Sequence, residues 1–283
     1  MAPPDNELEH LQRWYGANLV GVPARVLAST GFNAHPQPLA IAGTCEAHEK
    51  LFALLDSSHD MNEAHDIFVH YLTLAFGLRK PEPHELASMG QAEQRRWRNS
   101  WRRLLQGWGM DANGPAGAVL KGWVESRFGL APSFHKAALA HFPSEAWMTY
   151  LQEKAASRHN NNNIHQQLDL LYEFSQWALR RICAQGDTPA ARHLRLWRGS
   201  NQCEEQVVAG RLQNRRCTVR LNNIVSFSLS QEDASCFGDW IFEVQVPMCK
   251  VLVFPDMLPG QVLQGEQEVL AIGGDYEVMA RYA

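Results

Sequence analysis

The spacing of apolar residues changes character near residue 190. Before this point, apolar side chains recur every three or four positions, which is the period of an amphipathic helix. The stretch before residue 44 has no such period and contains Pro23, Pro36 and Pro38, so it predicts irregular structure. The periodic pattern predicts helices over residues 46–78, 85–108, 116–128, 144–157 and 163–184.

The apolar runs after residue 190 are short and rich in β-branched and aromatic residues. Gly, Pro, Asn and Asp separate them, which is typical of strands joined by turns. The runs are HLRLW, CTVRL, IVSFS, WIFEVQV, KVLVF, EVLAI and YEVMA. We therefore predict an α+β fold, with a mostly helical region over residues 1–160 packed on a small mixed or antiparallel sheet within 161–283. Because no long flexible linker separates the two parts, we expect them to form one unit.

Composition narrows the possible partners and location. The net charge is −4, from 26 basic and 30 acidic residues, which argues against binding nucleic acid or an anionic membrane through the overall field. No apolar run approaches the roughly 20 residues that span a bilayer. The six cysteines form no C-x-x-C pair, so we expect no zinc site. With no visible export signal, we expect a cytoplasmic protein with reduced thiols.

Two other clusters suggest chemistry at first sight. His59 and His65 lie six positions apart and therefore do not share a helix face, so we expect helix-surface and loop residues there and no metal. An arginine-rich segment, residues 95–103, carries Trp97 and Trp101. Helical spacing predicts buried tryptophans with solvated arginines, which favours an acidic protein partner over nucleic acid.

Three short segments after residue 190 carry residue types that suit catalysis. LRLWRGS places Arg198 and Gly199 at the end of a predicted strand, and IVSFSLSQEDASCFG places Ser226 and Ser228 on another. The third, QGEQEVLAI, contains Glu266 and Glu268. In a strand these two glutamates point the same way; if Glu266 instead lies in the preceding turn, both can still reach one pocket.

The order of these three segments resembles the arginine-specific mono-ADP-ribosyltransferases, whose core is a β-sandwich. That family has a strand with Arg-Gly, then Ser-Thr-Ser, then Glu-x-Glu before a strand. Alignment on the FG pair that follows the serines places the middle motif on residues 226–228, where Phe227 replaces the usual Thr. A register that uses Ser230 is the second choice.

A longer resemblance covers nearly the whole chain. Residues 11–44, the segment 159–181 and the three motifs are together similar to the dinitrogenase reductase ADP-ribosyltransferase family. In nitrogen-fixing bacteria that family modifies one arginine of the nitrogenase iron protein, with NAD as co-substrate. The resemblance also implies activation by a PII-type nitrogen-signalling protein.

The resemblance implies a role for each candidate residue. Glu268 would bond the 2′-hydroxyl of the nicotinamide ribose and stabilise the positive charge that develops on the sugar. Glu266 would hold the acceptor arginine and take its proton, and Arg198 would bind an NAD phosphate. The other expected NAD-binding residues are Gly199, Ser226, Ser228 and Phe237.

Two alternatives to a transferase remain at this point. An NAD glycohydrolase would use water in place of the acceptor arginine and would have less use for Glu266. A non-enzymatic adaptor could have the same fold with an inactive site, although the presence of Arg198, Ser226 and Glu268 argues against it.

Overall fold

The computed structural model describes residues 18–79, 82, 84–85, 88–184, 192–201, 203–258, 263 and 267–282. The described residues between 18 and 184 are mainly helical. Its helices are α1 (Ala24–Leu27), α2 (Thr30–Ala34), α3 (Thr44–Ala47), α4 (Glu49–Asp56), α5 (Met61–Phe76), α6 (Gln91–Arg98), α7 (Trp101–Met110), α8 (Pro115–Phe128), α9 (Glu145–Ala156) and α10 (Asn162–Ala184).

Two of the predicted long helices are broken. The region 46–78 divides at His48, between α3 and α4, and again before Asp60, whose side chain accepts a hydrogen bond from the Glu63 amide and starts α5. The region 85–108 divides at Asn99, and Ser100 precedes α7. Apolar spacing continues on both sides of each break, so the period alone does not reveal a new helix start.

Two other expectations for the helical part were wrong. The stretch predicted to be irregular contains α1 and α2, and the Ser29 hydroxyl caps α2 by accepting from the Phe32 amide. His65 is buried, with 7% exposure, and its ring packs edge-on against Phe174. The sequence pattern placed this histidine at the surface, but its ring packs in the hydrophobic core.

The strands begin with a small hairpin, β1 (Phe134–His135) and β2 (Ala137–Ala138), that the sequence pattern did not predict. The main sheet contains β3 (His193–Ser200), β4 (Val207–Gly210), β5 (Arg216–Ser228), β6 (Trp240–Pro247), β7 (Val251–Val253) and β8 (Glu268–Tyr282). A short helix, α11 (Gln231–Ser235), follows β5. The order across the sheet is β4-β5-β3-β6-β8-β7, with β5 also paired to β8. The predicted α+β class is confirmed.

The long strands β5 and β8 each join two segments that were predicted as separate strands. Their pairing shifts register between Leu221, which pairs with Gly274, and Ile224, which pairs with Ile272, so that two asparagines lie opposite Gly273 alone. A Cβ added to Gly273 would lie 1.6 Å from the Asn222 carbonyl oxygen, and Gly274 has φ of +125°. Residues that usually mark a turn therefore form a local distortion within continuous strands.

Because β5 and β8 are long, the sheet curls on itself. β3 pairs with β6, β6 with β8 and β8 with β5, and the pair Trp197–Ser228 joins β5 back to β3. The strands β3, β5 and β8 consequently meet near the end of β5 and the start of β8.

Helix α10 attaches the helical part to the sheet. The side-chain amide of Gln176 donates to the Val251 carbonyl at 2.8 Å, and the Tyr172 hydroxyl donates to the Cys249 carbonyl at 2.7 Å. One hydrophobic cluster contains residues of α4, α5, α7, α8 and α10 together with Leu270 and Ile272 of β8. In the part of the chain that the structure describes, no helix is both long and apolar enough to cross a membrane.

Candidate active site

Residues from all three predicted motifs touch where β3, β5 and β8 meet. Ser228 is the register partner of both Trp197 and Glu268. Residues 226 and 228 lie on one face of β5, and Glu268 lies on the same face of the neighbouring strand. The Ser226 hydroxyl donates a hydrogen bond of 2.6 Å to Oε1 of Glu268. The curled sheet thus joins two residues that are 42 positions apart.

Arg198 brings a half-buried cation to the same place. Its Nη1 donates to the backbone carbonyl of Ser226 at 2.8 Å. Burial lowers the pKa of the guanidinium, while the negative charge of Glu268 acts in the opposite direction; an arginine remains charged in proteins even so. Its Nε is buried and has no hydrogen-bond partner among the described residues. Because such a donor is costly to leave unpaired, the site fits a ligand oxygen, such as that of a phosphate.

The three serines of the middle motif have different partners. Ser228 Oγ accepts a hydrogen bond from the Ser230 amide at 3.0 Å, and Ser230 Oγ caps α11 by accepting from the Asp233 amide. These are local contacts that shape the turn after β5. Of the three hydroxyls, that of Ser226 is the one bonded to Glu268. The side chain of Phe227 is buried against Tyr276, so a hydrophobic residue there fits the opposite face of the strand.

Gly199 lies where α11 approaches β3 most closely. A Cβ at Gly199 would stand 2.1 Å from the Ala234 carbonyl oxygen and 3.0 Å from the Gly238 nitrogen. The motif glycine is therefore required for this close approach. Phe237, in the same turn, is 72% exposed, so it is not a core residue.

Glu266, the other predicted acid, lies outside the described residues. Trp108, at the C-terminal end of α7, was not predicted as a site residue, yet its indole Nε1 donates to Ser226 Oγ at 3.1 Å. In the sequence it continues the buried stripe of α7, which is the only signal that it carries. Among the described residues, no group of three or more His, Cys, Asp and Glu side chains lies together as metal ligands do.

A half-buried strand arginine and a serine bonded to a glutamate, on a curled antiparallel sheet, form the arrangement expected of an arginine-specific ADP-ribosyltransferase. Comparison with known proteins gives the narrower class. The sequence model of the family described as dinitrogenase reductase ADP-ribosyltransferase (DRAT) matches residues 17–280. The NAD(+)--dinitrogen-reductase ADP-D-ribosyltransferase of Rhodospirillum rubrum is 46% identical over 268 residues, which are 95% of each chain. No solved structure matches. The chain belongs to the dinitrogenase reductase ADP-ribosyltransferase family.

Proposed function

We propose that this protein transfers ADP-ribose from NAD to an arginine of the nitrogenase iron protein and thereby switches off nitrogen fixation. Membership of the family and the name of the R. rubrum relative support the substrate and the acceptor. The observation that carries the proposal is the hydrogen bond between Ser226 and Glu268, beside the unpaired Nε of Arg198. This arrangement offers a carboxylate and a phosphate-binding cation within one site.

The reaction explains why these residue types are needed. The bond between the nicotinamide nitrogen and C1 of the ribose breaks, and nicotinamide leaves with the electron pair as a neutral molecule. The ribose develops positive charge, as in glycoside hydrolysis. The Glu268 carboxylate, held by Ser226, stabilises that charge electrostatically. A guanidinium nitrogen of the acceptor then forms a bond to C1, and its proton passes to Glu266.

The other site residues bind NAD in this proposal. The unpaired Nε of Arg198 donates to a phosphate oxygen, since a guanidinium can present several donors to one phosphate. The backbone of Gly199 bonds the nicotinamide amide, and the exposed ring of Phe237 packs near the nicotinamide. The hydroxyl of Ser228 keeps the adjoining turn in place through its bond with Ser230.

Nicotinamide release with and without the iron protein tests the proposed function. We expect release to depend on the iron protein, and mass spectrometry to find ADP-ribose on one arginine of it. An iron protein in which that arginine is replaced by lysine is the matched control and should stay unmodified. Equal release with and without the acceptor would favour a glycohydrolase, and the absence of both NAD binding and release would favour an adaptor.

Glu266 is tested separately because its role rests on the motif alone. Glu266→Gln should abolish arginine modification, since the acceptor loses its proton acceptor. Slow NAD hydrolysis should persist, because water needs the second carboxylate less. Undiminished transfer by this variant would rule out the proposed role of Glu266.

We further propose that a PII-type regulator docks on a basic groove in the helical part. The groove has a volume of about 630 Å³ and includes Arg95 and Arg96 of α6 and Arg158 after α9. Asparagines, glutamines and small or apolar residues complete it, and among the described residues no carboxylate lines it. In a chain of net charge −4, this local positive surface suits an acidic protein partner.

Arg95 and Arg158 are the arginines that a docking test should replace, because both line the groove. Arg102 lies over the Trp101 ring at 5.1 Å, so it contributes to packing. Arg95→Glu with Arg158→Glu should weaken binding of the regulator and reduce its salt dependence, as expected for charges at an interface rim. Arg98→Glu on the same helix, outside the groove, is the control. Interferometry measures binding of each variant to the regulator and to the iron protein. NAD binding, measured alongside, should not change. Regulator binding as tight as that of wild type would exclude the groove as the docking surface, and weakened binding of the iron protein alone would assign it to the substrate.

A further inference from the structure

The indole of Trp108 reaches the candidate active site from the helical part of the chain. It is 5% exposed and lies seven residues after Trp101 on α7, on the same buried face as Leu104 and Leu105. Its Nε1 is 3.1 Å from Ser226 Oγ, and the same oxygen is 2.6 Å from Oε1 of Glu268. The three groups form a continuous line of hydrogen bonds from α7 to β8.

The chemistry of the three groups determines the direction of this line. An indole N–H can only donate, and an ionised carboxylate can only accept. The hydroxyl between them has one hydrogen and must therefore accept from Trp108 and donate to Glu268. With its lone pair engaged by the indole, the hydroxyl keeps its hydrogen directed at the carboxylate. Hydrogen bonds in such a chain also polarise one another.

We propose that Trp108 is a positioning residue for the transfer reaction, acting through Ser226 on the orientation of the Glu268 carboxylate. This inference rests on the proposed function. It does not require Trp108 to touch NAD or the acceptor. It also means that the helical part contributes to the active site, because α7 supplies the donor to Ser226 Oγ.

The position of α7 is held at its other end by α10. The backbone amide of Trp101 donates to Oε1 of Gln167 at 2.9 Å, which is a buried side chain of α10. Between these ends, Gly107 allows close contact with α8, since a Cβ there would lie 2.7 Å from the Cβ of Ala116. The indole is thus presented by a helix that is fixed on two sides.

Trp108→Phe removes the N–H and keeps most of the ring. The matched control is Trp177→Phe, which removes an indole N–H that donates to Asp56 at 2.7 Å away from the site. We expect kcat to fall about tenfold in Trp108→Phe, which corresponds to the loss of about one net hydrogen bond. The KM for NAD should stay near its wild-type value, and Trp177→Phe should keep the wild-type kcat.

A double-mutant cycle with Ser226→Ala separates positioning from general packing. If Trp108 acts through Ser226, the double variant should be no slower than Ser226→Ala, because the bond is already lost. If the two effects multiply, or if Trp108→Phe matches wild type in kcat, the proposal is wrong. Inactive wild-type protein would instead count against the proposed function.

Nuclear magnetic resonance of the indole N–H groups tests the same line without activity. Trp108→Phe assigns the Trp108 signal among the nine tryptophans of the chain. Ser226→Ala and Glu268→Gln should each shift that signal, while the Trp177 signal should stay in place. An unmoved Trp108 signal in Ser226→Ala would overturn the proposal whatever the enzyme's activity.

Discussion

Replacing Glu268 by glutamine is the most direct test of how the active site works. The change removes a negative charge but preserves the shape of the side chain and an oxygen that can accept the Ser226 hydroxyl, now 2.6 Å from Oε1. The backbone pairing of Glu268 with Ser228 is not affected. The fold and the NAD-binding residues should therefore remain, and what is lost is the charge that faces the developing cation.

The size of the effect follows from the position of Glu268. The side chain is half-buried, so an effective dielectric constant near 20 is appropriate, and two unit charges about 4 Å apart then interact by about 4 kcal/mol. Removing a preorganised electrostatic group typically costs about 3 kcal/mol or more. Since a tenfold change in rate corresponds to about 1.4 kcal/mol, we expect kcat to fall by on the order of 100-fold or more.

The assay compares nicotinamide release and arginine modification in Glu268→Gln, wild type and Glu277→Gln. The last variant makes the same charge change on the same strand, at an exposed position, and should behave like wild type. Calorimetry should show that Glu268→Gln still binds NAD. If Glu268→Gln transferred ADP-ribose at a near-normal rate, the assignment of this carboxylate would be refuted.

Three further variants test binding, packing and pH dependence. Arg198→Lys keeps the charge but loses the planar set of donors, so NAD should bind roughly tenfold or more weakly by calorimetry; unchanged affinity with an intact melting transition would exclude the phosphate role. Gly199→Ala would bring a Cβ within 2.1 Å of the Ala234 carbonyl and should reduce the free energy of unfolding by about 1–3 kcal/mol, so a wild-type denaturation curve would contradict the close approach. Burial lowers the pKa of Lys250 to about 7, whereas the unfolded chain keeps that lysine protonated up to about pH 10. The unfolded state thus binds more protons between these values, and this group's contribution to stability rises with pH. The free energy of unfolding of Lys250→Met should therefore exceed that of wild type at pH 7, and the difference should shrink toward pH 10. Denaturant titrations at several pH values measure this difference, and a difference that does not change with pH would contradict the burial of Lys250.

The sequence by itself determined the chemistry and much of the secondary structure. The three- and four-residue period predicted α8, α9 and α10 to within one or two residues, because apolar residues recur along each of them at helical spacing. The motifs around Arg198, Ser226 and Glu268 could be found because the reaction requires a cation, a hydroxyl and a carboxylate, whatever their surroundings. The longer resemblance predicted the family that the comparisons confirmed.

Only the tertiary structure decided which of these groups touch. Which of the hydroxyls of Ser226, Ser228 and Ser230 bonds to Glu268 depends on how β5 pairs with β8. Whether asparagines and glycines at 222–223 and 273–274 form turns or distort continuous strands depends on the strand opposite. The contact from Trp108 to Ser226 spans 118 positions. Local spacing reports only which face of an element is buried, whereas a contact between distant elements depends on how those faces pack together.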